Sequence, residues 1–127
     1  MPAPLSGLRI LVLEDEALIA LDVDQLCRDH GAEDVILAAN LREAQLAAMP
    51  YDVAIIDVML DGEPTLDFAR SIQAAGVPFV FASGYDQLDE LFAGFPDVRL
   101  VSKPYSGEDL VEAVTASIRK LSASADG

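Results

Sequence analysis

Five short apolar runs recur along this chain, each separated from the next by enough residues for one helix. They are RILVLE (9–14), DVILAA (34–39), DVAIID (52–57), FVFAS (79–83) and VRLVS (98–102). The runs lack the apolar–polar alternation of a half-exposed strand, so they read as strands buried on both faces. The intervening segments change period. Between 16 and 30, Ile19, Val23, Leu26 and His30 fall on one helical face, with Gly31 placed to end the helix. Asn40 and Glu43 read as a capping box opening a helix that runs to Met49, just before Pro50. A loop containing Gly62 and Pro64 leads to a helix over 66–75, closed by Gly76 and followed by Pro78. Residues 86–94 carry a short, weak helical pattern. Ser106 and Asp109 cap a last helix, along which Leu110, Val114, Ile118 and Leu121 share a face. Strands alternating with helices predict a parallel sheet covered on both faces. Right-handed crossovers then give an α/β, doubly wound, flavodoxin-like (βα)5 fold with five parallel strands in the order 2-1-3-4-5. One domain over 8–121 is expected, with flexible ends at 1–7 and 122–127.

Ligands of such sheets bind beyond the carboxyl ends of the strands. Polar groups concentrate there in this sequence. The first strand ends in Glu14 and Asp15, the third in Asp57, the fourth in Ser83 and Gly84, and the fifth runs into Lys103 and Pro104. Asp57 is the hardest of these to treat as incidental, because an apolar strand leads straight into it and burying an unpaired charge is costly. Taken singly, Asp15 could cap a helix, Ser83 could sit in a turn and Lys103 could be an ordinary exposed lysine. Together they form three carboxylates, a hydroxyl and an ammonium at one edge. Clustered carboxylates call for a cation, and hard oxygen donors suit Mg2+ with room left for a phosphoryl group. A carboxylate beside such a metal can act as a nucleophile and form an aspartyl phosphate. Asp61 and Glu63 read as a solvated loop with no ligand role.

Composition narrows the partners. Lys and Arg total 8 against 22 Asp and Glu, a net charge of −14. That balance disfavours nucleic acid and anionic membrane surfaces. No apolar run reaches the length of a membrane span, and the first residues lack a secretory signal pattern, so a cytoplasmic location is expected. The single cysteine, Cys27, fits a reducing compartment and reads as a buried structural thiol.

Four separated stretches, "LEDE" (13–16), "IIDVML" (55–60), "FASGY" (81–85) and "SKPY" (102–105), give the chain its resemblance to the receiver domains of response regulators in bacterial two-component signalling. "FASGY" is further similar to single-domain receivers with Phe-Ala-Thr-Gly at this place. The resemblance covers residues 8–121 and implies a role for each strand end. Asp57 would accept the phosphoryl group. Asp15 would bind Mg2+ directly, Glu14 through water, and the backbone carbonyl of Met59 would complete the protein's metal contacts. Ser83 would hydrogen-bond the phosphoryl group and Lys103 would pair with it. The family often carries an aromatic switch three residues before the lysine, where this chain has Leu100, so Gly84 and Tyr85 are the switch positions expected here.

The function expected is that of a phosphoacceptor module, not an enzyme acting on external substrates. It would take its phosphoryl group from a histidine kinase or phosphotransfer protein and signal to a protein partner or pass the group on, as a monomer or weak dimer. The sole histidine, His30, reads as a helix-end residue, so the donor histidine would belong to the partner. An aspartate-nucleophile hydrolase is the competing enzyme class, but Met59 stands where that class carries an acid. A receiver-like binding module without phosphorylation and a flavin-binding variant of the fold also compete. On the first helix Leu18 and Leu21, beside Asp22 and Gln25, lie off the core face and are the residues expected to dock the kinase.

Overall fold

The computed structural model describes residues 3–47, 50–83, 99–102 and 107–126 of the chain. The weak helix expected over 86–94 lies outside them. The described elements are, in order, β1 (Arg9–Leu13), α1 (Ala17–Asp29), β2 (Asp34–Ala38), α2 (Leu41–Leu46), β3 (Val53–Asp57), β4 (Met59–Leu60), β5 (Glu63–Pro64), α3 (Leu66–Ala74), β6 (Phe79–Ser83), β7 (Arg99–Ser102) and α4 (Gly107–Asp126). Five strands form one parallel sheet in the order β2-β1-β3-β6-β7. Counting the sheet strands alone, this is the expected 2-1-3-4-5.

The sheet's two faces explain why the strands show no polar alternation. Ile10, Val12, Val53 and Ile55 point to one side, into a core shared with Val23 and Cys27 of α1 and Leu110 and Val114 of α4. Leu11, Leu13, Ala54 and Ile56 point to the other, against Ala44 of α2 and Ala69 and Ile72 of α3. Phe79 and Phe81 stack edge-to-face within that second core, with centroids 5.3 Å apart. Burying each large aliphatic side chain of β1 and β3 contributes about 1.5–3 kcal/mol.

Helix ends follow local chemistry. After α1, the Gly31 and Ala32 N–H groups donate to the Arg28 and Cys27 carbonyls, each at 3.0 Å, with Gly31 at φ +100°. That is the Schellman arrangement, and Gly76 (φ +83°) repeats it after α3. His30 sits half-buried at the end of α1, its Nδ1 2.9 Å from the Leu26 carbonyl oxygen. Cys27 is buried among apolar neighbours, and desolvation pushes its thiol up to about 12. At α2, Asn40 Oδ1 accepts the Glu43 N–H at 2.8 Å, while Glu43 Oε1 accepts the Ala39 N–H at 2.8 Å. The capping box is thus present, shifted by one residue on its return bond. The helix stops at Leu46, short of the expected Met49, because Ala44 alone is buried and Ala47 has already turned extended (ψ 133°).

Three segments carry structure beyond that expected from the sequence. Within the expected lead-in 1–7, Leu5 is fully buried, its N–H donates to the His30 carbonyl at 2.9 Å, and Gly7 N–H reaches the Gly31 carbonyl at 3.3 Å. Beyond residue 121, α4 continues to Asp126. No glycine or proline interrupts that stretch, and its alanines favour helix. The segment after β3 is not a plain loop. Met59 pairs with Pro64 and Leu60 with Glu63 in a small antiparallel hairpin. Its turn places Asp61 at φ 51° and Gly62 at φ 79°, the two left-handed positions that an Asp-Gly pair supplies in tight hairpins.

Candidate functional site

β1 and β3 lie side by side, with Leu13 opposite Ile56. One residue further along each strand are Glu14 and Asp57, so parallel pairing alone brings these two carboxylates to the same edge. Asp57 has Ala82 as its partner in β6. Ser83 follows and pairs with Ser102 of β7. The backbone of Ser83 is therefore at the expected edge, and Lys103 is the next residue after β7. Lys103, Gly84 and Tyr85 lie outside the described residues.

Glu14, Asp15 and Asp57 each direct a carboxylate oxygen into one cluster, all within 4.8 Å of one another. Glu14 is 5% exposed and Asp57 9%, whereas Asp15 faces solvent. Backbone amides hold each group. Glu16 N–H donates to Glu14 Oε2 at 3.2 Å, Met59 N–H to Asp57 Oδ1 at 3.4 Å, and Asp61 N–H to Asp15 Oδ2 at 3.0 Å. Such bonds offset part of the repulsion within the trio. The N-cap of α1 is Glu16, and no side chain caps the helix. Asp15 is thus turned toward the hairpin and does not serve as a helix cap.

The cluster fits a small hard cation. An octahedral Mg2+ with oxygens at about 2.1 Å spaces adjacent ligands about 3 Å apart and opposite ligands about 4.2 Å apart. Three carboxylate oxygens within 4.8 Å can meet that spacing by small side-chain adjustments. No nitrogen or sulfur ligand joins them among the described residues, so the donor set favours Mg2+ over softer metals.

No protein-family model matches the chain. Over 118 residues it is 31% identical to the transcriptional regulatory protein PdtaR of Mycobacterium tuberculosis, an alignment covering 89% of this chain and 58% of that protein. Over 122 residues it is 30% identical to the two-component response regulator PhoP of Pseudomonas aeruginosa, covering 91% of this chain and 53% of that one. The receiver domain of a Francisella response regulator matches the fold with a TM-score of 0.74 at 23% identity, over 90% of this chain and 98% of that domain. In sequence the chain is similar to two-component response regulators, and in fold it resembles their receiver domains. It spans little more than half the length of the two curated relatives. At its level of identity, the structural likeness speaks for the fold alone.

Within this domain the remaining site residues fall as follows. Met59 begins β4, two residues beyond Asp57, so its backbone is at the cluster while its side chain is partly exposed. On α1, Leu18 is 79% and Leu21 57% exposed, and Asp22 and Gln25 are exposed beside them. Gln25 Nε2 donates to Asp29 Oδ1 at 2.8 Å. Two contributors escaped the sequence reading. Asp61, assigned no role, supplies the backbone N–H that holds Asp15. Thr65, fully buried, donates its hydroxyl to the Asp57 and Val58 carbonyl oxygens at 2.7 and 3.0 Å. The Asp61-Gly62 pair was the available signal for the hairpin. Nothing in the sequence marks the direction of the Thr65 hydroxyl. Among the described residues no helix is long and apolar enough to cross a membrane.

Proposed function

We propose that this receiver domain is a phosphoacceptor signalling module, and that Asp57 takes the phosphoryl group. The observation that carries the reading is the placement of Asp57, 9% exposed at the end of a buried strand, with Glu14 and Asp15 oxygens within 4.8 Å. An aspartate held so is poorly solvated, and a carboxylate beside a bound cation can act as a nucleophile toward phosphorus. Asp15 and Asp57 would ligate Mg2+ directly, Glu14 through water and Met59 by its backbone carbonyl. The metal would supply positive charge for phosphoryl oxygens.

In the transfer itself, an Asp57 oxygen attacks the phosphorus of a phosphohistidine on a histidine kinase or phosphotransfer protein. The O–P bond forms as the N–P bond breaks, and the imidazole keeps the electron pair and takes up a proton. Ser83 and Lys103 would hold the phosphoryl oxygens. The half-buried His30, at the far end of α1, leaves the donor histidine to the partner. The domain would turn over no external substrate. Output would pass to a protein partner in the cytoplasm, as a monomer or weak dimer, through movement at Gly84 and Tyr85. The exposed Leu18 and Leu21, with Asp22 and Gln25, would meet the kinase.

Incubation with Mg2+ and acetyl phosphate, followed by intact mass measurement, tests the reading. The wild type gains one phosphoryl group and Asp57→Asn gains none. A wild type that stays unlabelled, or a label mapped to another residue, overturns it.

A further inference from the structure

Thr65 stands at the N-cap of α3, a position where a threonine ordinarily accepts an amide from the first turn. It makes no such bond. Its hydroxyl points backwards and donates to the carbonyl oxygens of Asp57 and Val58 at 2.7 and 3.0 Å, and its own N–H reaches the Val58 carbonyl at 3.1 Å. The residue is completely buried. A helix that forgoes its cap so that one hydroxyl can join the backbone at both ends of a hairpin is arranged for the hairpin.

The same hairpin touches two of the three clustered carboxylates. Its first residue, Met59, donates to Asp57 Oδ1 at 3.4 Å. Its turn residue, Asp61, donates to Asp15 Oδ2 at 3.0 Å. Leu60 is fully buried and anchors the first strand of the hairpin in the core. Asp15 is the only exposed member of the trio and sits in the short connection before α1. Its orientation therefore depends on the Asp61 amide more than on packing.

We propose that Thr65 is a positioning residue of the phosphorylation site. By closing the base of the 59–64 hairpin, it fixes the Asp61 and Met59 amides, which in turn hold the Asp15 and Asp57 carboxylates that would ligate the metal. The inference rests on the phosphoacceptor reading for its purpose, though not for its geometry. Partners that orient metal ligands in this indirect way typically change metal affinity when removed.

Thr65→Val keeps the shape and deletes the hydroxyl, while Thr65→Ser keeps the hydroxyl and deletes a methyl group. Mg2+ affinity by calorimetry and the Asp61 amide proton shift by NMR, read in the metal-free protein, are the two measurements. Thr65→Val is expected to raise the Mg2+ dissociation constant roughly tenfold and to move the Asp61 amide away from its carboxylate-bonded shift. Thr65→Ser restores both. A purely structural role would lower the unfolding midpoint of Thr65→Val yet leave the folded protein's Mg2+ affinity and Asp61 shift at wild-type values, and that result overturns the proposal. Should Thr65→Val fail to fold, Gly62→Ala decides instead: with φ at +79° and open space around the added methyl, it strains the turn without a clash. It must shift Asp61 and weaken Mg2+ binding in the same direction, or the proposal falls. A wild type that takes no phosphoryl group would sink the function while the Asp61 shift still judged Thr65.

Discussion

Asp57→Asn removes one of three like charges from a crowded site, so it should make the metal-free protein more stable. The carboxylate oxygens lie within 4.8 Å of one another. At that distance two ionised groups repel by about 3.5 kcal/mol at an effective dielectric of about 20, and by about 0.9 kcal/mol in bulk water. Asp57 takes part in two of the three pairs. Its pair with buried Glu14 lies nearer the upper figure, and its pair with exposed Asp15 nearer the lower. The amide bonds to the carboxylates return part of this cost, and the asparagine side chain of the variant would retain an acceptor for the Met59 N–H. A net gain of about 2 kcal/mol remains as the expectation, which raises the melting temperature by roughly 6–10 °C for a domain of this size. Urea denaturation at neutral pH in the presence of a chelator measures it. Repeating the titration with saturating Mg2+ should close or reverse the gap, because the wild type gains more from the ligand than the variant does. A variant less stable than the wild type in chelator, or a gap indifferent to Mg2+, would refute the idea that mutual repulsion dominates the site.

Leu18→Glu, at a side chain 79% exposed, should change stability by no more than about 0.5 kcal/mol; it should slow phosphotransfer from the cognate kinase and leave labelling by acetyl phosphate unchanged, and equal loss with both donors would count against docking. Gly31→Ala forces a side chain onto φ +100° and sets its Cβ 2.7 Å from that of Ala3; the unfolding midpoint should fall by the equivalent of about 1–3 kcal/mol, with the Leu5 amide losing its protection from exchange. Cys27, raised from 9.0 to about 12, holds its proton more tightly folded than unfolded; its contribution is intact below pH 9.0 and is lost as pH rises from 9.0 to about 12. Cys27→Ala should therefore show a shallower alkaline loss of stability than the wild type, measured as urea midpoints on either side of that window.

Most of the sheet was legible because burial on both faces leaves a continuous apolar run, and such runs are bounded by what cannot continue them. Gly31 and Gly76 marked two helix ends for a local reason, the left-handed turn each one makes. The carboxylate trio was legible for a topological reason: parallel neighbours end on one edge, so Glu14 and Asp57 had to meet. What could not be read depends on contacts between distant segments. Leu5 looks like part of a loose terminus until the α1–β2 turn is there to bind it. Asp61 looks like a solvent-exposed acid, and its side chain gives no hint that the backbone N–H is the functional group. Thr65 carries no signal of its own in the sequence, because only the return of the chain past Asp57 brings acceptors to its hydroxyl.

The site's three anchors differ in stiffness, and that ordering bears on how it would work. Asp57 belongs to the central strand, paired on both sides, and is the least able to move. Glu14 follows the last residue of β1, with its N–H bonded to the Ala38 carbonyl at 3.0 Å. Asp15 lies in the connection before α1, where, among the described residues, the hairpin amide of Asp61 bonds its carboxylate. A cation entering the site would therefore draw Asp15 in toward two fixed groups, and the hairpin would have to follow the carboxylate it holds. The nucleophile stays in register with the sheet while the adjustment falls on a short hairpin anchored at Leu60 and Thr65, which places the cost of metal binding where few core contacts are disturbed.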